Sequence, residues 1–310
     1  MFSVIFPGQG SQTVGMGKEL YNNYDYIKDL FHKADEILDF FLSRIILEGP
    51  KDELDQTENT QPAIFLISYS IYEMIKRESK IDLSKAKYFA GHSLGEYSAL
   101  STSGALNFDQ AIKLLKIRGK SMQSALPKGE GGMLAVLGSE IQTIRDLLNE
   151  NKQKYECFIA NDNSNGQIVI SGKNKSLDLL IGDLKKKSIK NVRLSVSAPF
   201  HCRLMNSATE IMKKEIMNTN FSNPNNFIIS NVTSEETRES DEIKKLLIQQ
   251  IESPVRWRES IIYMLNNGIT KFIEIGPGKV LSGLIKRIDR NVDLMSVNGL
   301  EDLKNINLDD

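Results

Sequence analysis

The sequence predicts an α/β fold with a mainly parallel sheet and an inserted βαββαβ subdomain, and three observations carry that prediction. Apolar strands at 3–6 and 88–90 each run into a glycine turn and then a helical pattern. Residues from about 128 to 197 follow a different rhythm, with two helices set among four strands. The strand–turn–helix pattern resumes afterwards, with strands at 228–232 and 271–275.

Taken in order, the first strand ends at Pro7-Gly8. Gly8, Gly10, Gly15 and Gly17 make the next stretch a backbone-exposing loop. A helical pattern runs over 18–42, and Thr60-Gln61-Pro62 reads as the start of a helix that is apolar nearly all round. Tyr88-Phe89-Ala90 enters Gly91-His92-Ser93-Leu94-Gly95, followed by helices at 96–103 and from Asn107 to about 125. In the inserted part the strands are 133–137, 157–160, 167–171 and 192–196, with helices at 141–149 and 177–187. That order is the ferredoxin-like one, so the expected division is 1–127 with 198–310 as the core and 128–197 as the subdomain. Further helices are expected at about 241–251, 255–267 and 279–289, with 218–226 and 233–242 as surface loop.

Composition narrows the function classes. A chain of 310 residues with 40% hydrophobic and 25% charged residues can bury a sizeable core beneath an ordinary surface. A net charge of -1 gives no sign of a nucleic-acid partner. The two cysteines, Cys157 and Cys202, form neither a disulfide framework nor a zinc spacing, so a reducing, cytoplasmic setting is the default expectation. The N-terminus shows no secretory leader, and the apolar stretch 63–67 is far too short to span a bilayer.

Gly91-His92-Ser93-Leu94-Gly95 follows a strand and precedes a helix, the context a nucleophile elbow needs. The alternative is a glycine-rich turn with a capping serine. A nucleophilic serine requires a base, and only His32, His92 and His201 are available. His92 adjoins the serine and should point away from it, whereas His32 lies mid-helix among Lys and Asp. His201, in a loop after a strand, is the best base by elimination; a solvated or capping loop histidine is the plainer alternative. No acid beside it announces a third triad member, and a backbone carbonyl could fix the tautomer instead. Cys202 adjoins the base in sequence and reads as a small buried residue.

Arg118 continues the stripe Ala111, Leu114 and Leu115 of its helix and so faces inward. A buried guanidinium needs a carboxylate partner, either in an internal salt bridge or in a substrate held bidentately. Gly276-Pro277-Gly278-Lys279 lacks the spacing of a phosphate loop and reads as a plain turn. Lys185, Lys186, Lys187, Lys190 and Arg193 read as a solvated helix end.

Six segments together resemble the malonyl-CoA:acyl carrier protein transacylases and the acyltransferase domains of fatty acid and polyketide synthases. They are Phe6-Pro7-Gly8-Gln9-Gly10-Ser11-Gln12, Gly91-His92-Ser93-Leu94-Gly95-Glu96-Tyr97, Arg118-Gly119, Asn161-Asp162-Asn163-Ser164, Pro199-Phe200-His201, and Gln250 with Pro254-Val255-Arg256-Trp257. They occur in family order from about residue 3 to 298. The resemblance implies a hydrolase-like core, with Ser93 acylated and His201 as the base held by the Gln250 carbonyl. It implies oxyanion donors at the Gln9 and Leu94 amides, and Arg118 on the malonyl carboxylate. Gln12, Asn163 and Gln250 would line the site. Malonyl-CoA and holo acyl carrier protein would be the substrates of a ping-pong transfer supplying fatty acid biosynthesis, with no metal or redox cofactor, no membrane and a monomeric chain. In Ser197-Ala198-Pro199-Phe200, a segment that varies in the family, the Phe before the histidine resembles malonyl-preferring domains, whereas the small Ser resembles either bacterial transacylases or methylmalonyl types. Asp162 departs from the family pattern, where a bulkier apolar or aromatic residue is common. The rival readings are an esterase or thioesterase using the same elbow, and a non-catalytic carrier-protein docking module.

Overall fold

In the computed structural model, residues 1–196 and 198–303 are described; Ser197 and 304–310, which fall within the expected segments, lie outside the described residues. Five strands alternate in sequence with helices and lie parallel: β1 Phe2–Phe6, β2 Tyr88–Gly91, β7 Phe227–Ile229, β9 Lys271–Ile275 and β10 Asp293–Val297. The two-residue β8, Glu236–Thr237, adds one antiparallel pair, giving the order β10-β9-β1-β2-β7-β8. β1 lies centrally between β9 and β2, buried on both faces. Val4 and Phe6 enter one apolar cluster with Phe89 and Ile273, while Ile5 enters the other with Tyr88, Ala90 and Phe272. Such two-sided burial is why the strands read as continuous apolar runs rather than as alternating ones.

The second sheet is antiparallel, in the order β4-β5-β3-β6, from β3 Gly131–Leu137, β4 Cys157–Ser164, β5 Gln167–Lys173 and β6 Lys190–Arg193. Helices Ile141–Glu150 and Asn174–Lys186 lay Ile144, Leu147, Leu177, Leu180 and Leu184 against Leu134, Val136, Ile168 and Ile170 of this sheet. Met133, Ala160 and Val169 join the main cluster instead, so this sheet also packs towards the larger one.

Several elements depart from the sequence expectation for identifiable reasons. The helical run 18–42 is broken into Lys18–Asn23 and Asp25–Leu38, because Tyr24 is extended and Asp39 turns left-handed at φ 48°. The next helix, Leu42–Glu48, begins where that run was expected to end. The apolar helix starts at Thr57 rather than Thr60, and Pro62 sits inside it at the loss of one ladder bond. β6 ends at Arg193: Leu194 and Val196, whose apolar character suggested a strand, line a cavity instead. β4 runs on to Ser164, through the expected turn, with irregular register on either side of Asn161 and Asp162. β10, β8 and helix Asn206–Asn218 were not foreseen. Among the described residues no helix is long and apolar enough to cross a membrane.

Candidate active site

Two glycines impose the elbow. A side chain at Gly91 would bring its Cβ to 1.9 Å from the Gly95 carbonyl carbon, and one at Gly95 to 2.3 Å from the Phe6 oxygen. Only glycine fits either position. Between them Ser93 is forced to φ 53°, a left-handed conformation that a serine adopts only under constraint. Asn231, just after β7, staples the turn: the Ser93 amide donates to its Oδ1 at 2.7 Å, and its Nδ2 donates to Gly91 O at 2.7 Å. Leu94 immediately precedes helix Gly95–Thr102, so its N–H belongs to the helix terminus, where no earlier turn can accept it.

His201 comes to the same place from the loop after Phe200, also left-handed at φ 59°. Its Nε2 lies 2.8 Å from Ser93 Oγ, and its Nδ1 lies 2.8 Å from the Gln250 carbonyl. A carbonyl only accepts, so Nδ1 carries the proton and Nε2 offers its lone pair to the serine hydroxyl. Burial, reinforced by the positive charge of Arg118, pushes the imidazole down to about 3. It is therefore neutral at physiological pH.

Arg118, in helix Phe108–Gln123, is fully buried. It donates to Gln61 Oε1 at 2.8 Å, Gln250 Oε1 at 2.8 Å and Ser93 Oγ at 3.1 Å. Of the two carboxylate partners that the sequence left open for it, the internal salt bridge is not formed. Among the described residues none lies within ion-pair distance; the acceptors are two amide oxygens and a hydroxyl. Its Nε makes no hydrogen bond, and the guanidinium lies 5.7 Å over the Tyr97 ring. A buried cation that keeps a donor in reserve beside a serine–histidine pair can receive an anionic group.

The remaining sequence-singled residues divide. Gln9, Leu94, Asn163 and His92 share one cavity with Ser93, Arg118 and His201. Gln12 does not line it; Gln12 takes the Gly10 amide on Oε1 and donates to Asp55, bracing the glycine loop. Gln250 lies beneath the cavity, fully buried, rather than in its lining. His92 bonds Asn163 Oδ1 at 2.8 Å and lies against the Trp257 ring, away from the hydroxyl. His32 is exposed beside Tyr21. Cys202 gives its S–H to Pro199 O, and burial raises the thiol to about 12, so it is no nucleophile. Glu274, within β9, turns its carboxylate to the Leu281 and Ser282 amides beyond the following turn, so that turn already holds an anion. Lys185, Lys186 and Lys187 are exposed, while Arg193 pairs with Asp178.

The departure at Asp162 now has a physical account. Its carboxylate is gripped by Arg258 through Nε at 3.0 Å and NH2 at 2.8 Å, and its amide donates to Val255 O. This ties β4 to the helix Trp257–Asn266 and so to the larger sheet. Asp162→Ala should destabilise the protein by about 2 kcal/mol in urea unfolding. Adding Arg258→Ala should cost less than it does alone, because the orphaned cation is then gone. Additive losses would mean the pair is not coupled.

The model of the family described as "Acyl transferase domain" matches residues 3–300. The chain belongs to that family. Among its acyltransferase relatives, the malonyl CoA-acyl carrier protein transacylase of Bacillus subtilis (strain 168) is 42% identical over 302 residues, 97% of this chain and 94% of that protein. That of Haemophilus influenzae is 39% identical over 298 residues, 96% of this chain and 95% of that one. The solved acyl-carrier-protein S-malonyltransferase of Bartonella henselae superposes with a TM-score of 0.95 at 38% identity, covering 98% of this chain and 97% of that one. A malonyl-transacylase in complex with a type II PKS acyl-carrier protein superposes at 0.93 with 34% identity, over 98% and 97%.

Three residues of this acyltransferase were not singled out from sequence. Gln61 holds Arg118 from the apolar helix, Asn231 holds the elbow, and Glu96 is a carboxylate only 2% exposed. For Glu96 the available signal was its place one residue past the elbow, in the same motif as Ser93. Gln61 and Asn231 carried none, being amides that only the fold brings to the site.

Proposed function

We propose that the protein moves the malonyl group of malonyl-CoA to the phosphopantetheine thiol of holo acyl carrier protein, supplying fatty acid biosynthesis. The observation that carries this reading is a fully buried Arg118 with an unused Nε, 3.1 Å from a serine hydroxyl that also faces a neutral histidine. Ser93 Oγ gives its proton to His201 Nε2 and attacks the thioester carbonyl. The Gln9 and Leu94 amides hold the oxyanion. The C–S bond breaks, the departing thiolate of coenzyme A takes the proton from the imidazolium, and Ser93 is left malonylated. In the second half the carrier-protein thiol passes its proton to His201 and attacks the ester carbonyl, and Ser93 leaves with that proton. Arg118 holds the malonyl carboxylate throughout. That pairing also offsets one of the three causes that depress His201, which are burial, Arg118 and His92, so its basicity rises when the right acyl group is present.

No metal or redox cofactor enters these steps. The reading takes 1–127 with 198–310 as a hydrolase-like core and 128–197 as a ferredoxin-like subdomain; the strand order β4-β5-β3-β6 with its two covering helices supports it. A monomer acting in the cytoplasm completes it; the two buried free thiols fit a reducing setting.

Intact-mass analysis tests the proposal. Mixing with malonyl-CoA should add one malonyl group, lost from Ser93→Ala, and adding holo acyl carrier protein should move it to the carrier. Release of free malonate in place of transfer would identify a thioesterase, and no adduct at all would leave only a docking role.

A further inference from the structure

Resting on that reading, we infer that Glu96 is a positioning residue for acyl selectivity: through the Gln250 amide it fixes the Arg118 guanidinium and supplies its counter-charge without occupying it.

Arg118 is buried among neutral acceptors, and a lone buried cation is costly. The carboxylate that offsets it is Glu96, one amide away. Gln250 Nε2 donates to Glu96 Oε2 at 2.8 Å, and Gln250 Oε1 accepts from Arg118 NH2 at 2.8 Å. The amide is therefore polarised between an anion and a cation and can face only one way. Turned over, it would set its NH2 against the guanidinium and its oxygen against the carboxylate. Glu96 Oε2 also accepts the Asn231 amide at 3.1 Å, which anchors the carboxylate to the segment that staples the elbow. Burial pushes the Glu96 carboxyl up to about 7 against the pull of these two donors and Arg118, so the counter-charge is complete only above neutral pH.

The indirect arrangement has a chemical purpose. A carboxylate in direct contact with Arg118 would take the fork that an acyl carboxylate must use. Set one amide back, the counter-charge steadies the cation and leaves Nε free. Glu96 touches neither substrate nor reacting atoms, so its loss should appear in recognition of a charged acyl group rather than in the chemistry at Ser93.

The test is Ser93 acylation by malonyl-CoA and by acetyl-CoA at about pH 8.5, where Glu96 is ionised, in wild type and in Glu96→Gln, which keeps the volume and removes the charge. Malonyl kcat/KM is expected to fall at least tenfold, mainly through KM, while acetyl kcat/KM stays within threefold. Equal losses for both thioesters, or unchanged selectivity, would overturn the inference. If Glu96→Gln does not fold, judged by its Tm and acetyl acylation, Glu96→Asp takes its place. It keeps the charge but withdraws it by one methylene, and a malonyl-specific loss of at least threefold is expected; no such difference overturns the inference. The underlying reading fails separately, by absence of a malonyl adduct on the wild-type enzyme.

Discussion

Arg118→Ala should lower acylation by malonyl-CoA about 100-fold, the equivalent of about 3 kcal/mol for a desolvated, charge-assisted pair. Acetyl-CoA carries no second carboxylate, so acylation by it should change by less than about fivefold. The contrast between the two thioesters is the informative quantity. Removing the guanidinium also leaves Gln61 Oε1 and Gln250 Oε1 without their donor, a loss that falls on both substrates alike. Only the malonyl-specific part reports the clamp. Rates measured with each thioester under single-turnover conditions separate the two effects, and parallel decline would remove Arg118 from acyl recognition.

His201→Ala should cut acylation by about 10⁴-fold with either thioester, since no other base reaches Ser93 Oγ among the described residues. The wild-type enzyme should also show an unusual pH profile. A histidine at its ordinary value loses its lone pair as the pH falls through about 6.5. Here the folded-state value lies near 3, so the base stays unprotonated well below neutrality. Acetyl transfer should accordingly remain within about twofold between pH 8 and 5, as long as the protein stays folded. A fall centred near 6.5 would show that His201 is neither so buried nor so close to Arg118 in solution.

Much of this architecture was legible in the sequence because its signals are local. The apolar runs at 3–6, 88–90 and 271–275 coincide with β1, β2 and β9, and the expected inserted segment contains a separate sheet of four strands. Ser93, His201 and Arg118, singled out by turn context, by elimination and by helical phase, meet at Ser93 Oγ, which lies 2.8 Å from His201 and 3.1 Å from Arg118. The failures arose where tertiary contacts decide. Leu194 and Val196 look like strand residues because they are apolar, but their burial is in the cavity. The buried Arg118 reads from sequence as needing a carboxylate of the protein or of a substrate, and no local pattern says that an amide can stand between it and a protein carboxylate. Gln12 sits in a motif whose backbone borders the site while its side chain braces a neighbouring turn. β10 and helix Asn206–Asn218 escaped because their polar residues dilute the apolar period.

The distance between Gln9 and the elbow has an origin outside either loop. Both segments leave the C-terminal ends of β1 and β2, neighbouring parallel strands in which Phe6 is in register with Gly91 and the His92 amide donates to Phe6 O at 3.0 Å. The spacing of the two proposed oxyanion donors is thus inherited from the repeat of the sheet, about 4.8 Å from strand to strand. A dimension set by a lattice is insensitive to what hangs from it. Residues 10–17 hang from that frame, braced through Gln12, whereas a single added methyl group at Gly91 or Gly95 would press on the frame itself and cannot be absorbed.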